Sequence, residues 1–239
     1  MHGSVFDQPQ IAPLASLNLT HEFWSLNINT LIYTWITLLI LVITIWFARK
    51  ALNRNNSIGQ YLVIQYVQFF RDLVTQSIGQ FNFRHFAFIG TLFTFILFCN
   101  LMALIPGMGE PTSDLMTTFA LGITGLCYAQ FAGIQAHGIL GHFKNYLQPF
   151  ALMLPLNIIS HFAEVLSLSF RLFGNISGGA MITHLWHSAI SNSLIKQLMG
   201  LFFGINLIVL AFFGLFEGLI QAFVFSILSL TYLALEVKE

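Results

Sequence analysis

Between Phe150 and Ser188 the chain is almost continuously apolar, yet Arg171 sits inside that run. An apolar stretch well beyond the roughly 20 residues of a membrane helix leaves few folds open. A guanidinium keeps its proton in proteins. At membrane depth it costs at least about 2.5–3.5 kcal/mol. Arg171 must therefore face protein, water or a partner charge, and it marks a functional site.

Composition agrees with a membrane chain. Hydrophobic residues make up 56% and charged residues only 8%, against a usual charged share of about 25%. A soluble domain of this balance would expose large apolar patches and aggregate. The formal net charge is +0, which gives no sign of nucleic-acid binding. There is no internal repeat, and the N-terminus lacks the basic start and apolar core of a signal peptide. Cys99 and Cys127 lie in apolar runs and read as buried thiols used as small hydrophobes.

The expected fold is one all-α membrane domain with five membrane-embedded helices and one amphipathic surface helix. Residues 1–27 form an irregular N-terminal segment, and spans are expected over 28–48, 85–105 and 115–136. Residues 58–80 mix Gln60, Gln65, Gln68, Arg71 and Asp72 with Leu62, Tyr66, Phe69 and Phe70, which suits a helix lying on the membrane surface. Residues 150–188 and 199–235 are each too long to cross upright at 1.5 Å per residue. Each either folds back at a glycine pair, Gly178-Gly179 or Gly214 and Gly218, or forms one steeply tilted helix; the lack of polar turn residues favours tilt. Arg49, Lys50, Arg54, Arg71, Arg84, Lys144 and Lys238 fall on one side of the bilayer and Lys196 on the other. The excess of positive charge on the inner side places the N-terminus outside and the C-terminus in the cytoplasm or matrix.

A helix turns about 100° per residue. By that count Asn157, Ser160, Glu164, Ser167, Asn175 and Gly178 share the face of Arg171. One polar stripe on an apolar helix lines a hydrated or protein-facing groove. The last segment carries a counterpart in Asn206, Glu217 and Gln221. If the two segments run antiparallel, Asn175, Asn206, Glu217 and Gln221 lie outward of Glu164 and Asn157. Two polar patches then flank one arginine, a layout for ions that enter at one face and leave at the other without a continuous pore. His184 and His187 stand near the outer end and His161 beside the stripe, whereas His2, His21, His85, His137 and His142 read as residues of ends and loops. Two other classes fit the composition: a haem-binding membrane oxidoreductase, which needs paired histidines at matching depth, and a self-contained ion channel or transporter.

The run Ser167-Leu-Ser-Phe-Arg171-Leu-Phe-Gly-Asn175 resembles the signature of subunit a of the membrane sector of F-type ATP synthases. Ile105-Pro-Gly-Met-Gly-Glu-Pro-Thr-Ser-Asp114, Leu154-Pro-Leu-Asn-Ile-Ile-Ser-His161 and Ile220-Gln-Ala-Phe-Val-Phe-Ser-Ile-Leu-Ser-Leu-Thr-Tyr232 also resemble segments of that family. The resemblance implies a non-catalytic, proton-translocating stator subunit without cofactor or metal. Its implied partners are the ring of c subunits, the peripheral-stalk subunit b, the lipid bilayer and protons or Na+. A bacterial inner membrane is implied, with the mitochondrial inner membrane as the alternative. Arg171 matches the arginine that faces the ring and separates two half-channels, and Asn175 and Gln221 match polar residues near it. The same resemblance favours steeply tilted helices. A protonated ring carboxylate is neutral and can face lipid; deprotonated, it passes only a fixed cation. Each proton crossing 100 mV releases about 2.3 kcal/mol, so several must be coupled to one ATP.

The chain departs from the family pattern at Ala180 and Gly214, where relatives carry acids or histidines, and at Asn157, Glu164 and Val165. His184 and Glu217, each about a turn away, are expected to serve the outer path instead, and Glu164 the inner one.

Overall fold

The computed structural model describes residues 10–11, 26–53, 57–105, 108–146, 153–191 and 204–238. Arg54, Pro106, Gly107, Lys196, His2 and His21 lie outside them, as do the side chains of Lys144, His187 and Asn206.

The architecture is helical, apart from an antiparallel pairing of two short strands, β1 (Gln10–Ile11) and β2 (Leu26–Asn27). Polar residues set where the first helices begin. Helix α1 (Ile28–Leu52) starts where the Asn27 side chain accepts from the Asn29 N–H at 3.1 Å. It ends on Arg49 and Lys50, which complement its negative C-terminal dipole. Helix α2 (Ile58–Ile78) is capped by Ser57, which accepts from the Gln60 N–H at 3.1 Å, and stops at left-handed Gly79. Helix α3 (Phe83–Leu101) is capped by Asn82 and runs into a 3-10 turn, Met102–Leu104. A second 3-10 turn, Pro111–Ser113, precedes Asp114, whose carboxylate accepts from the Met116 N–H at 3.0 Å and opens α4 (Leu115–Tyr146). Helix α4 kinks at Gly138, where φ is 75°.

Helix α5 (Met153–Ser191) settles the question of turn against tilt for the first long segment. It is unbroken over 39 residues, so Gly178-Gly179 makes no turn. Its length is about 58 Å, nearly twice the roughly 30 Å of a hydrocarbon core, so it cannot stand upright. The final rod comprises α6 (Ile205–Leu210), a π-helical turn (Ala211–Phe216) and α7 (Glu217–Lys238). Gly214 lies within that turn, and no hairpin forms. Five helices are long and apolar enough to cross a membrane, and α2 is a further helix outside that set.

Helix α7 organises the interior, packing against α2, α3, α4 and α5. Phe70 and Val74 of α2, Ile89 and Ile96 of α3, Leu172 of α5 and Phe225 of α7 belong to one buried cluster. A polar clasp locks α7 to α3: the Asn100 side-chain amide donates to the Gly218 carbonyl at 2.9 Å and its carbonyl accepts from the Thr112 hydroxyl at 2.7 Å. Only glycine fits at 218, because a Cβ there would lie 2.9 Å from the Asn100 Cβ. Such close approach between small residues is what holds helices together where lipid removes the hydrophobic drive.

One cysteine differs from the expectation. Cys99 is buried but Cys127 is exposed on the helix surface. The spans turn many apolar side chains outward, Trp35 and Leu140 among them. An apolar neighbourhood in the sequence therefore does not imply burial against protein.

Candidate functional site

Arg171 projects from the middle of α5 and is exposed, and its Nη2 donates to the Ser167 hydroxyl at 3.3 Å. That i−4 partner is itself exposed. Exposed apolar side chains occur on both rods, Phe162, Leu166 and Phe170 on α5 and Leu215, Leu219 and Phe223 on the final rod. Arg171 itself shares its helical face with Ser167 and Asn175 and stands on the outer surface rather than in the interior.

Asn175, one turn further, is half-buried, and Gln221 is buried on α7. Glu217 is the first residue of α7, directly after the π-helical turn. Such turns change which face a following residue presents and are frequent at functional sites. Its carboxylate lies against α5 at Gly179, where an added Cβ would sit 3.0 Å from Oε2 and 3.2 Å from Phe213. That buried oxygen has no hydrogen-bond partner among the described residues.

Gly179 also forms part of the wall of a cavity of about 130 Å³, lined in addition by Glu110, Thr183, His184 and Phe213. This brings His184 and Glu217 to one region and adds Glu110, which the sequence pattern alone did not mark. Glu110 precedes Pro111 in the connection between α3 and α4. Burial, and secondarily the nearby Glu217 carboxylate, pushes its carboxyl up to about 7.

A second polar cluster forms between α4, α5 and α7. Glu164 meets His161 at 3.3 Å rather than reaching Arg171. The other ring nitrogen of His161 lies 3.4 Å from Glu236 on α7. Glu236 accepts from the Gln130 side-chain amide at 2.8 Å, and the Gln130 carbonyl oxygen is 2.9 Å from His142 Nε2. His142 Nδ1 is 3.8 Å from the second Glu236 oxygen. His142 is thus a buried member of a network, not the loop residue expected. Likewise His85 is buried, 3.0 Å from the Tyr128 hydroxyl. Tyr232 of α7 feels both the Glu164 carboxylate and the Arg171 guanidinium, linking the second cluster to the arginine. Glu164, Tyr232 and Ser229 also border a small cavity of about 10 Å³, close to the minimum that one water requires. Asn157 is half-buried on α5 outside these contacts, and Asn206 lies in α6.

Of the residues singled out from sequence, the structure puts His184 on the cavity wall, Glu217 against that wall at Gly179, and Glu164 in the second cluster. The pattern missed Glu110, Gln130, His142 and Glu236. A charged residue at a helix end or a loop normally signifies solvation, so only the tertiary contacts reveal these four.

A family model described as ATP synthase A chain matches residues 31–234. The chain is 38% identical over 219 residues to ATP synthase subunit a 2 of Acaryochloris marina, covering 89% of this chain and 88% of that one. It is 37% identical over 230 residues to ATP synthase subunit a 2 of Picosynechococcus, covering 94% and 92%. To ATP synthase subunit a of Moorella thermoacetica it is 35% identical over 206 residues, covering 86% and 89%. With the family matched over nearly its whole length and with five helices fit to cross a bilayer, the chain belongs to the ATP synthase A chain family, as a multi-pass membrane subunit.

Proposed function

We propose that the chain is the stator subunit through which protons reach and leave a rotating ring of carboxylate-bearing c subunits, coupling proton flow to ATP synthesis. One observation supports this: Arg171 is an exposed cation within the apolar α5, midway between two separate groups of histidine and glutamate side chains. The cavity of Glu110, His184 and Glu217, with Asn175, Gln221 and Asn206, serves as the outer half-channel. Glu164 and Asn157 belong to the inner one. The N-terminus lies outside and the C-terminus in the cytoplasm of a bacterium. The peripheral-stalk subunit b holds the chain against torque.

The mechanism follows from charge. A ring carboxylate arriving protonated is neutral and can leave lipid at little cost. Near Arg171 it loses its proton, because an adjacent cation favours the ionised form. The guanidinium cannot give up its own proton, so it cannot pass one across. Protons are thereby forced onto the ring between the two half-channels. Histidine in both clusters supports protons as the coupling ion, since an imidazole exchanges protons near neutral pH.

The test is ATP-driven proton pumping in vesicles carrying Arg171→Ala, with assembly verified by co-purification. Pumping is expected to fall to background with the complex intact. Normal pumping would reduce Arg171 to a packing residue and sink the half-channel reading.

A further inference from the structure

Both ring nitrogens of His161 are engaged by carboxylates, Nδ1 at 3.3 Å from Glu164 and Nε2 at 3.4 Å from Glu236. A neutral imidazole carries one N–H, so one of these contacts sets a bare nitrogen lone pair against a carboxylate oxygen. One added proton makes the ring a cation that both carboxylates attract, with a charge-assisted hydrogen bond to Glu164 and an ion pair with Glu236. Two carboxylates and one imidazole therefore form a site that attracts a proton and holds it in a defined place.

Exposure grades across the cluster. The His161 and Glu164 side chains are 24% and 22% exposed, Glu236 is 11% and His142 is 6%. The most exposed end is thus the His161–Glu164 edge. The buried end is braced: Gln130 bridges Glu236 and His142, and all three come from helices other than that of His161. Among the described residues no three metal-ligating side chains converge as an ion would need, so the cluster is not built for a metal. Glu164 further borders the small cavity shared with Tyr232, on the side of Arg171.

We propose that His161 is the proton-exchanging residue of the inner half-channel, with Glu164 its partner at the water-facing edge and Glu236, Gln130 and His142 as positioning residues behind it. This rests on the half-channel reading above. In the step itself, a proton carried by water from the arginine side forms an N–H bond at the bare His161 nitrogen, giving the imidazolium. Breaking one of its two N–H bonds to water at the inner face restores the neutral ring. Nothing is oxidised or reduced. Among the described residues, the titratable groups facing this ring are Glu164 on its own helix, Glu236 on α7 and, beyond Glu236, His142 on α4; Glu164 and Arg171 both act on Tyr232.

A purely structural latch between three helices would use the same contacts, so the test separates the two. ATP-driven pumping and passive proton flux are measured in vesicles bearing the assembled complex, with the inner-face pH varied from about 6 to 9 around the histidine range. His161→Ala is expected to lose at least about tenfold in proton flux, and imidazole added at the inner face restores much of it. His161→Gln, which keeps polar contacts, loses flux as well. Glu236→Gln moves the pH profile of the flux roughly one unit lower, because a carboxylate that favours the imidazolium is gone. Wild-type flux and profile in His161→Gln would overturn the proposal. So would a loss in His161→Ala that imidazole leaves unchanged while the complex stays assembled, which is the behaviour of a latch. Arg171→Ala run alongside keeps the two claims apart: normal His161→Gln with inactive Arg171→Ala overturns only the role of His161.

Discussion

Glu110 and His184 stand apart about a cavity of some 130 Å³, and Glu217 lies against its wall at Gly179 with one buried oxygen that has no hydrogen-bond partner among the described residues. Around Glu236 the opposite holds: Gln130, His142 and His161 approach it at 2.8, 3.8 and 3.4 Å, and His161 reaches on to Glu164 at 3.3 Å. Both regions bring carboxylates and histidine together, but one has room and the other has contacts. A carboxylate beside open space exchanges protons through water and is easily blocked. A carboxylate held in a network exchanges through side chains and is easily mistuned. The two half-channels proposed for these regions are therefore expected to fail in different ways.

Blocking is the larger effect. Gly179→Val would drive a side chain into the space between Glu217 and Phe213, where even a Cβ meets atoms at 3.0 and 3.2 Å. Pumping is expected to fall at least about tenfold, since misplacing a reacting group by an ångström can cost a hundredfold. The measurement is the initial rate of ATP-driven acidification, with complex content matched. A rate within twofold of wild type would show that Glu217 does not need Gly179 and that the outer region is no more easily blocked than the inner one.

The arginine helix was legible in the sequence because a helix repeats. Arg171, Ser167 and Glu164 share a face by spacing alone, and an unpaired cation in apolar surroundings cannot be bland. The expected set of spans and a surface helix followed from length and hydropathy for the same reason. Gly214 was not legible: it sits in a π-helical turn that shifts Glu217 relative to an α-helical count. Nor was the Glu236 network. Gln130 and Glu236 are 106 positions apart, and no local period connects them. Glu110 was hidden by its place in a loop, where an acid ordinarily signifies solvation rather than a cavity wall.

Titration gives the next effect and it belongs to the open region. The Glu110 carboxyl is raised by burial, then by Glu217, to about 7. The folded state thus holds this proton more tightly than the unfolded chain does, whose glutamates titrate near 4.3. Stability is highest below the unfolded value and falls as pH rises toward 7, where ionisation in place becomes possible. The ceiling is about 4 kcal/mol, from 1.36 kcal/mol per pKa unit. Glu110→Gln removes that slope, so heat-induced release of the subunit from the purified complex should depend less on pH between about 5 and 7. An unchanged slope would mean that Glu110 is solvated and that the outer cavity does not shape its acidity.

The smallest effect concerns the residue between the two regions. Ser167 accepts the hydrogen bond from Arg171 at 3.3 Å, on an exposed face. A bond this long and open to solvent is worth on the order of 1 kcal/mol or less. Arg171 works as a charge, and a charge keeps most of its field when one neutral neighbour is lost. Ser167→Ala should therefore lower pumping by less than about fivefold, the factor that 1 kcal/mol allows, with no proton leak across the membrane. A leak in this variant, read as collapse of an imposed pH gradient without ATP, would mean that the orientation of the guanidinium and not only its charge keeps the two half-channels apart. The barrier would then be as dependent on geometry as the Glu236 network, and the contrast would lie between the outer cavity and everything else.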